Sequence, residues 1–246
     1  MKKLHGAAGF AAMFLVIIAL LITSFQIGIY GDPEYGFYKE EYEKYNVTDS
    51  LDMTIEDVME VTEYMMDYLI GREEVLSIET NVDGETRDFF NEQDRLHMED
   101  VKNLFLGGLK LRTVCLVLAV LLVLFLAATK ADMRKQITRG YFLALGVFGV
   151  LIVVLLCSFA VDFTASFTLF HEIFFTNDLW LFDPATDYMI RMLPEGFFYD
   201  MVMRIGAWFV GGLVLLFAVM AGWRQRALWK FWERHKKNDR KSTDSQ

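Results

Sequence analysis

The sequence predicts an α-helical integral membrane protein with four transmembrane helices and a small extracellular α+β insert. Three observations lead there. Charged residues fall in blocks separated by long apolar stretches, four of them near spanning length, and such alternation marks a membrane chain rather than a soluble domain. Lysine and arginine concentrate in some of the intervening segments and acidic residues in the others. Between the first and second stretches, a long polar segment carries both helical periodicity and a tight-turn signal.

The first stretch, GAAGFAAMFLVIIALLITSFQIGIY, covers residues 6–30 behind Lys2 and Lys3. A secretory signal has an apolar region of roughly 7–15 residues followed by a small-residue cleavage site. This run is longer and lacks the site, so residues 1–30 are expected to form a retained transmembrane helix.

Residues 31–96 are expected to form the extracellular insert. In MTIEDVMEVTEYMMDYLIG, Thr54 can cap a helix with Asp57 three residues on. Val58, Val61, Met65 and Leu69 recur at helical spacing, and Gly71 suits the C-terminal cap. The carboxylates Glu56, Glu60, Glu63 and Asp67 read as a solvated face rather than a metal site. In VLSIETNVDGETRDFF, two runs that can extend flank Asp83-Gly84, the sequence of a hairpin turn with positive φ at both central residues. An irregular polar loop is the alternative there.

The second stretch, TVCLVLAVLLVLFLAATK from Thr113, is slightly short for the roughly 20 residues a helix needs to cross hydrocarbon. Its helix is therefore expected to begin upstream, giving a span over 97–129. A basic loop, 130–139, carries Lys130, Arg134, Lys135 and Arg139; the third span is 140–161. An aromatic-rich outer segment, 162–204, follows, in which Asp183 before Pro184 suggests a helix start and Pro194 opens the helix of the fourth span, 205–223. The tail, 224–246, is densely basic.

The excess of lysine and arginine at the N-terminus, in the 130–139 loop and in the tail puts both termini in the cytoplasm of a multi-pass cell-membrane protein. The formal net charge of -9 then belongs to the outer segments. Nothing suggests nucleic-acid binding, and the basic tail suits anionic lipid headgroups. Cys115 and Cys157 lie inside spans and read as packing residues, not as a disulfide or a nucleophile.

Four histidines occur. His5 and His235 lie in basic ends, whereas His97 and His171 both lie in outer segments beside membrane boundaries. Ionisable groups at such places are functional candidates. On a continuous helix Asp100 shares a face with His97 and can fix its tautomer; an exposed polar role for His97 is the plainer reading. HEIFF lacks the second histidine of a zincin, there is no G-x-S-x-G, and no P-loop pattern appears. No metal and no cofactor is called for. Acid-base chemistry without an enzyme nucleophile remains, in which the substrate brings its own.

The stretches HMEDVKNLF and FHEIFFTNDLWLFDPATDYMIRMLPEGFF, set between four spans, resemble the lipoprotein intramolecular transacylase family of Gram-positive bacteria. The resemblance implies transfer of the sn-2 acyl chain of a diacylglyceryl-cysteine lipoprotein to the α-amino group of the same cysteine, leaving a lyso-form lipoprotein. Its key histidines match His97 and His171, expected to act as the catalytic pair on the outer face. Asp100, Glu172, Asn177 and Trp180 are expected around the substrate; diacylated lipoproteins and membrane lipids are the expected partners. Two alternatives stay open: a metal-dependent membrane hydrolase using the same histidines, and a non-enzymatic assembly factor or sensor.

Overall fold

A computed structural model describes residues 1–243, with side chains through residue 225. The tail expected over 224–246 therefore falls mostly outside the described side chains, as does His235. The elements in chain order are α1 (Lys2–Tyr30), α2 (Gly36–Lys44), α3 (Val47–Leu51), α4 (Ile55–Leu69), β1 (Glu79–Val82), β2 (Glu85–Asp88), α5 (Glu92–Ala128), α6 (Met133–Val161), α7 (Phe163–Phe174), α8 (Tyr188–Met192) and α9 (Glu195–Thr243). Helices α1, α5, α6 and α9 are long and apolar enough to cross a membrane. The strands form a two-stranded antiparallel sheet.

Three helices start earlier than hydropathy suggests. Helix α5 begins at Glu92 because Asn91 and Asp94 form a reciprocal capping box: the Asp94 N–H donates to Asn91 Oδ1, and the Asn91 N–H donates to Asp94 Oδ2, both at 2.9 Å. That box fixes the start more firmly than the apolar pattern does. Helix α9 starts just after Pro194, well ahead of the apolar run at 205. Helix α6 starts at Met133, so Arg134, Lys135 and Arg139 lie on the helix rather than in a loop.

The chain divides into two compact units. One comprises Met1–Leu21, Thr113–Ile152 and Trp208–Gln246. Its centre is Ile17, Leu126, Tyr141, Ala144, Phe148, Phe209 and Leu213, all buried. Helices α1 and α6 meet backbone to backbone at a glycine pair, where a Cβ on Gly140 would strike the Gly9 carbonyl and one on Gly9 would come within 2.5 Å of the Gln136 oxygen. Small residues serve this purpose in lipid, where close approach rather than water exclusion holds helices together. The buried Tyr141 hydroxyl donates to the Leu213 carbonyl at 2.9 Å. Val117, Leu121, Val150 and Leu215 are exposed, as lipid-facing side chains are.

The other unit comprises Ile22–Arg112 and Val153–Ala207. Tyr42, Leu51, Val58, Val61, Met66, Leu76, Phe89, Phe90 and Met192 form its core. Thr54 caps α4, accepting from the Asp57 N–H. Gly71, at φ +80, closes α4: its N–H donates to the Tyr68 carbonyl and the Arg72 N–H to the Asp67 carbonyl, the paired bonds of a Schellman ending. The β-hairpin turns at Asp83 (φ 51) and Gly84 (φ 75), pairing Glu79 with Asp88 and Val82 with Glu85. Arg191 of α8 grips both Asp83 carboxylate oxygens, at 3.0 and 3.1 Å, and holds that carboxyl below the usual carboxylate range.

Asp183-Pro184 does not start a helix. The Asp183 carbonyl accepts from Thr186 and Asp187, and its own N–H donates to Asp187 Oδ2 at 2.7 Å. Asp187 is extended (φ -111, ψ 112). This closes a single turn, and the next helix waits until Tyr188.

Candidate active site

His97 and His171 come from different helices, α5 and α7, and both are buried. Their ring centroids are 6.1 Å apart and the planes 30° from parallel. Helix α7 is started by Asp162, whose Oδ1 accepts from the Ala165 N–H at 2.9 Å. Four residues before His171, on the same face, stands Phe167. Its carbonyl receives the His171 Nδ1–H at 2.7 Å, and its ring lies 4.3 Å from the imidazole. A carbonyl only accepts, so in the neutral ring the proton is on Nδ1 and Nε2 carries the lone pair.

Aromatic side chains enclose the pair. Trp180 stacks on His171 at 4.8 Å and 28°. Phe175 lies 5.2 Å from His97 and 5.6 Å from His171, and Phe182 lies 5.4 Å from His97. Burial among them pushes the His171 pKa down, since a charged ring loses its hydration there; the bond to Phe167 pulls the other way. His97 Nδ1 is buried with no hydrogen-bond partner.

The expected hold of Asp100 on His97 is not made. Asp100 Oδ2 instead accepts from Asn177 Nδ2 at 2.9 Å, while the His97 ring faces His171, Phe175 and Phe182. Asn177 in turn organises its own loop. Its Oδ1 accepts from the Leu179 N–H at 3.1 Å, and its carbonyl accepts the Trp180 indole N–H at 2.9 Å. Asp100, Asn177 and Trp180 thus form one relay that ends on the His171 ring. Glu172 is exposed, and among the described residues its side chain makes no hydrogen bond or ion pair; neighbouring positions on a helix point apart.

Two contributors escaped the sequence reading. Gln93, one turn before His97, donates from Nε2 to the Leu179 and Leu181 carbonyls, each at 3.0 Å. Asn91 Nδ2 donates to Asp187 Oδ1 at 2.7 Å. Together with Asp100 they fasten the segment carrying Trp180 and Phe182 to α5. The readable signal was the Asn91-x-x-Asp94 box, which moves the helix start ahead of His97 and puts Gln93 on its face. Among the described residues, no three His, Cys, Asp or Glu side chains are grouped as metal ligands would be.

The site can accept a proton at one imidazole and offer an N–H hydrogen bond from the other, against an apolar wall. The sequence profile of the lipoprotein intramolecular transacylase family matches residues 10–198, a range that contains every residue named in this site. No curated protein matches the chain. Among solved structures, the membrane integral lipoprotein intramolecular transacylase of Bacillus cereus is 22% identical with a TM-score of 0.76, over 93% of this chain and 100% of that one. The same protein with a histidine-to-alanine substitution gives 23% and 0.73, over 93% and 97%. With a histidine-to-arginine substitution it gives 21% and 0.72, over 93% and 96%. At these identities the likeness speaks for the fold.

Proposed function

The chain belongs to the lipoprotein intramolecular transacylase family and is a membrane acyltransferase, and from that premise we propose that it moves the sn-2 acyl chain of a diacylglyceryl-cysteine lipoprotein onto the α-amino group of the same cysteine. The products are an N-acylated lyso-form lipoprotein and no free fatty acid.

The observation that carries this reading is the facing pair of buried imidazoles, His97 and His171, 6.1 Å apart. An α-amine has a pKa of about 7.7–8.0 and is largely protonated near neutrality. It must lose a proton to attack. His171 supplies the acceptor, because its Nδ1–H is committed to the Phe167 carbonyl and Nε2 is the free lone pair. His97 takes the complementary part. A buried orphan acceptor is cheaper than a buried orphan N–H, so with Nδ1 unpartnered its proton belongs on Nε2. That N–H can stabilise the oxyanion of the tetrahedral intermediate by hydrogen bonding, while the proton taken up by His171 is the one delivered to the departing glyceryl oxygen.

The chemistry balances. The ester C–O bond breaks and an amide C–N bond forms; of the two protons the ammonium nitrogen loses on becoming an amide, His171 releases the first to solvent and passes the second to the departing glyceryl oxygen. Amine and ester belong to one molecule, so holding them together supplies much of the entropy loss that attack requires. The aromatic enclosure of Phe167, Phe175, Trp180 and Phe182 suits acyl chains. Asp100, Asn177 and Trp180 orient His171, and exposed Glu172 is left to meet the amine on approach. The lysine and arginine distribution supports cytoplasmic termini and a site on the outer face.

Mass spectrometry of a lipoprotein N-terminus from cells with and without this protein tests the reading. Acyl migration from glycerol to nitrogen only in its presence is expected; an unchanged lipid pattern refutes it.

A further inference from the structure

We propose that a groove between α6 and α9, remote in sequence from both histidines, binds the headgroup of an anionic phospholipid. The groove is lined by Lys135, Thr138, Arg139, Phe142, Leu143 and Arg224 and has a volume of about 460 Å³, within the range of small-ligand clefts. Lys135, Thr138, Arg139 and Phe142 recur at three- and four-residue spacing, so one stripe of α6 faces it. Arg224 comes from α9, two turns after Phe217, whose ring meets Phe142 edge-on at 5.8 Å and joins the two helices.

Three cations therefore surround one apolar floor. Among the described residues no carboxylate lies within ion-pair distance of Lys135, Arg139 or Arg224. The nearest acid along the helix, Asp132, is committed to the start of α6, accepting from the Lys135 N–H at 3.1 Å. The Thr138 hydroxyl is likewise spent on the Arg134 carbonyl, at 2.6 Å. Among the described residues, none supplies a charge that completes the groove. Its position says what can supply one. Arg139 immediately precedes the apolar run of α6 and Arg224 immediately follows that of α9, so the cations stand at headgroup level while Phe142 and Leu143 continue toward the hydrocarbon. A net-negative phosphodiester with acyl chains satisfies both parts; a zwitterionic lipid adds a fourth cation, and free phosphate leaves the apolar floor bare.

The test is native mass spectrometry of the full-length protein, titrated with phosphatidylglycerol or phosphatidylcholine. Preferential retention of phosphatidylglycerol is expected. The variant K135Q/R139Q/R224Q should lose that preference, by about fivefold per charge removed. The variant K2Q/K3Q/K110Q, which removes as many charges elsewhere, should keep it, as should the charge-conserving R139K/R224K. If the triple groove variant does not purify, Arg139→Gln and Arg224→Gln alone decide the matter by the same criterion. Undiminished preference in the groove variants, equal loss in the control, or competition by glycerol phosphate as strong as by the lipid overturns the proposal.

Discussion

Trp180 lies flat against His171, 4.8 Å between ring centroids, while its indole N–H is tied to the Asn177 carbonyl. One face of the imidazole is thereby fixed by a side chain that is itself fixed. Trp180→Phe keeps a ring but drops the tether, and Trp180→Ala removes both. Misplacing a reacting group by about 1 Å can cost about 10²-fold. Transfer rate is expected to fall modestly in the first variant and by about that factor in the second, with substrate KM less affected. Equal rates in all three proteins would show that the stack does not orient the ring.

The histidines themselves should be indispensable. His97→Ala and His171→Ala are each expected to lower acyl transfer by at least about 10²–10⁴-fold, the usual worth of a positioned acid or base. Both variants should keep the thermal midpoint and elution of the parent within small changes. Near-full transfer by either variant removes that ring from the reaction.

The depressed pKa of His171 has two consequences. The ring stays neutral, and able to accept a proton, to lower pH than an exposed imidazole of roughly 6.5, so the acid limb of the transfer rate should lie below that value. Stability follows the same group. As pH falls below roughly 6.5 the unfolded chain protonates this histidine before the folded chain does, so the stability held by the neutral ring is whole above that pH and is lost as pH drops toward the folded-state pKa. Thermal unfolding of His171→Asn should therefore be less acid-sensitive than that of the parent; identical pH slopes would falsify this.

Gln93 holds the Leu179 and Leu181 carbonyls from one turn before His97. Gln93→Ala forfeits two hydrogen bonds, each worth about 0.5–1.5 kcal/mol. Backbone amides over 177–183 should exchange hydrogen faster while those of β1 and β2 do not change. Unchanged exchange over 177–183 would mean the segment is held by its aromatic contacts alone.

Gly140 leaves no room for a side chain, since a Cβ would meet the Gly9 carbonyl. Gly140→Leu should push α1 and α6 apart and destabilise by about 1–3 kcal/mol or more, read as a lower thermal midpoint in detergent. A midpoint equal to the parent's would show that the two helices can part there at no cost.

The fold was legible where a single residue type dictates backbone or solvent. Long apolar runs mark helices because lipid leaves the backbone no other way to satisfy its polar groups. Asp83-Gly84 and Gly71 announced their positive φ, and Thr54 its cap. Asp183-Pro184 misled because its signal is local: proline suits a first helical turn, but Asp187 reaches back to the Asp183 N–H and closes the turn instead. The histidine pair was legible as two ionisable groups at apolar boundaries. Their partners were less so. Spacing along α5 brings Asp100 near His97, yet the Asn177 amide, seventy-seven residues on, takes the carboxylate. Competition between a neighbour on the same helix and a group from a distant loop is a tertiary matter that no local pattern records.

The acceptor that sets the His171 tautomer is a main-chain oxygen, one turn back on the same helix. A side-chain acceptor can be erased by one codon; this one survives any replacement at position 167 that leaves α7 helical. The placement of the proton is thus written in the path of the backbone, and mutational drift can reach it only by breaking the helix.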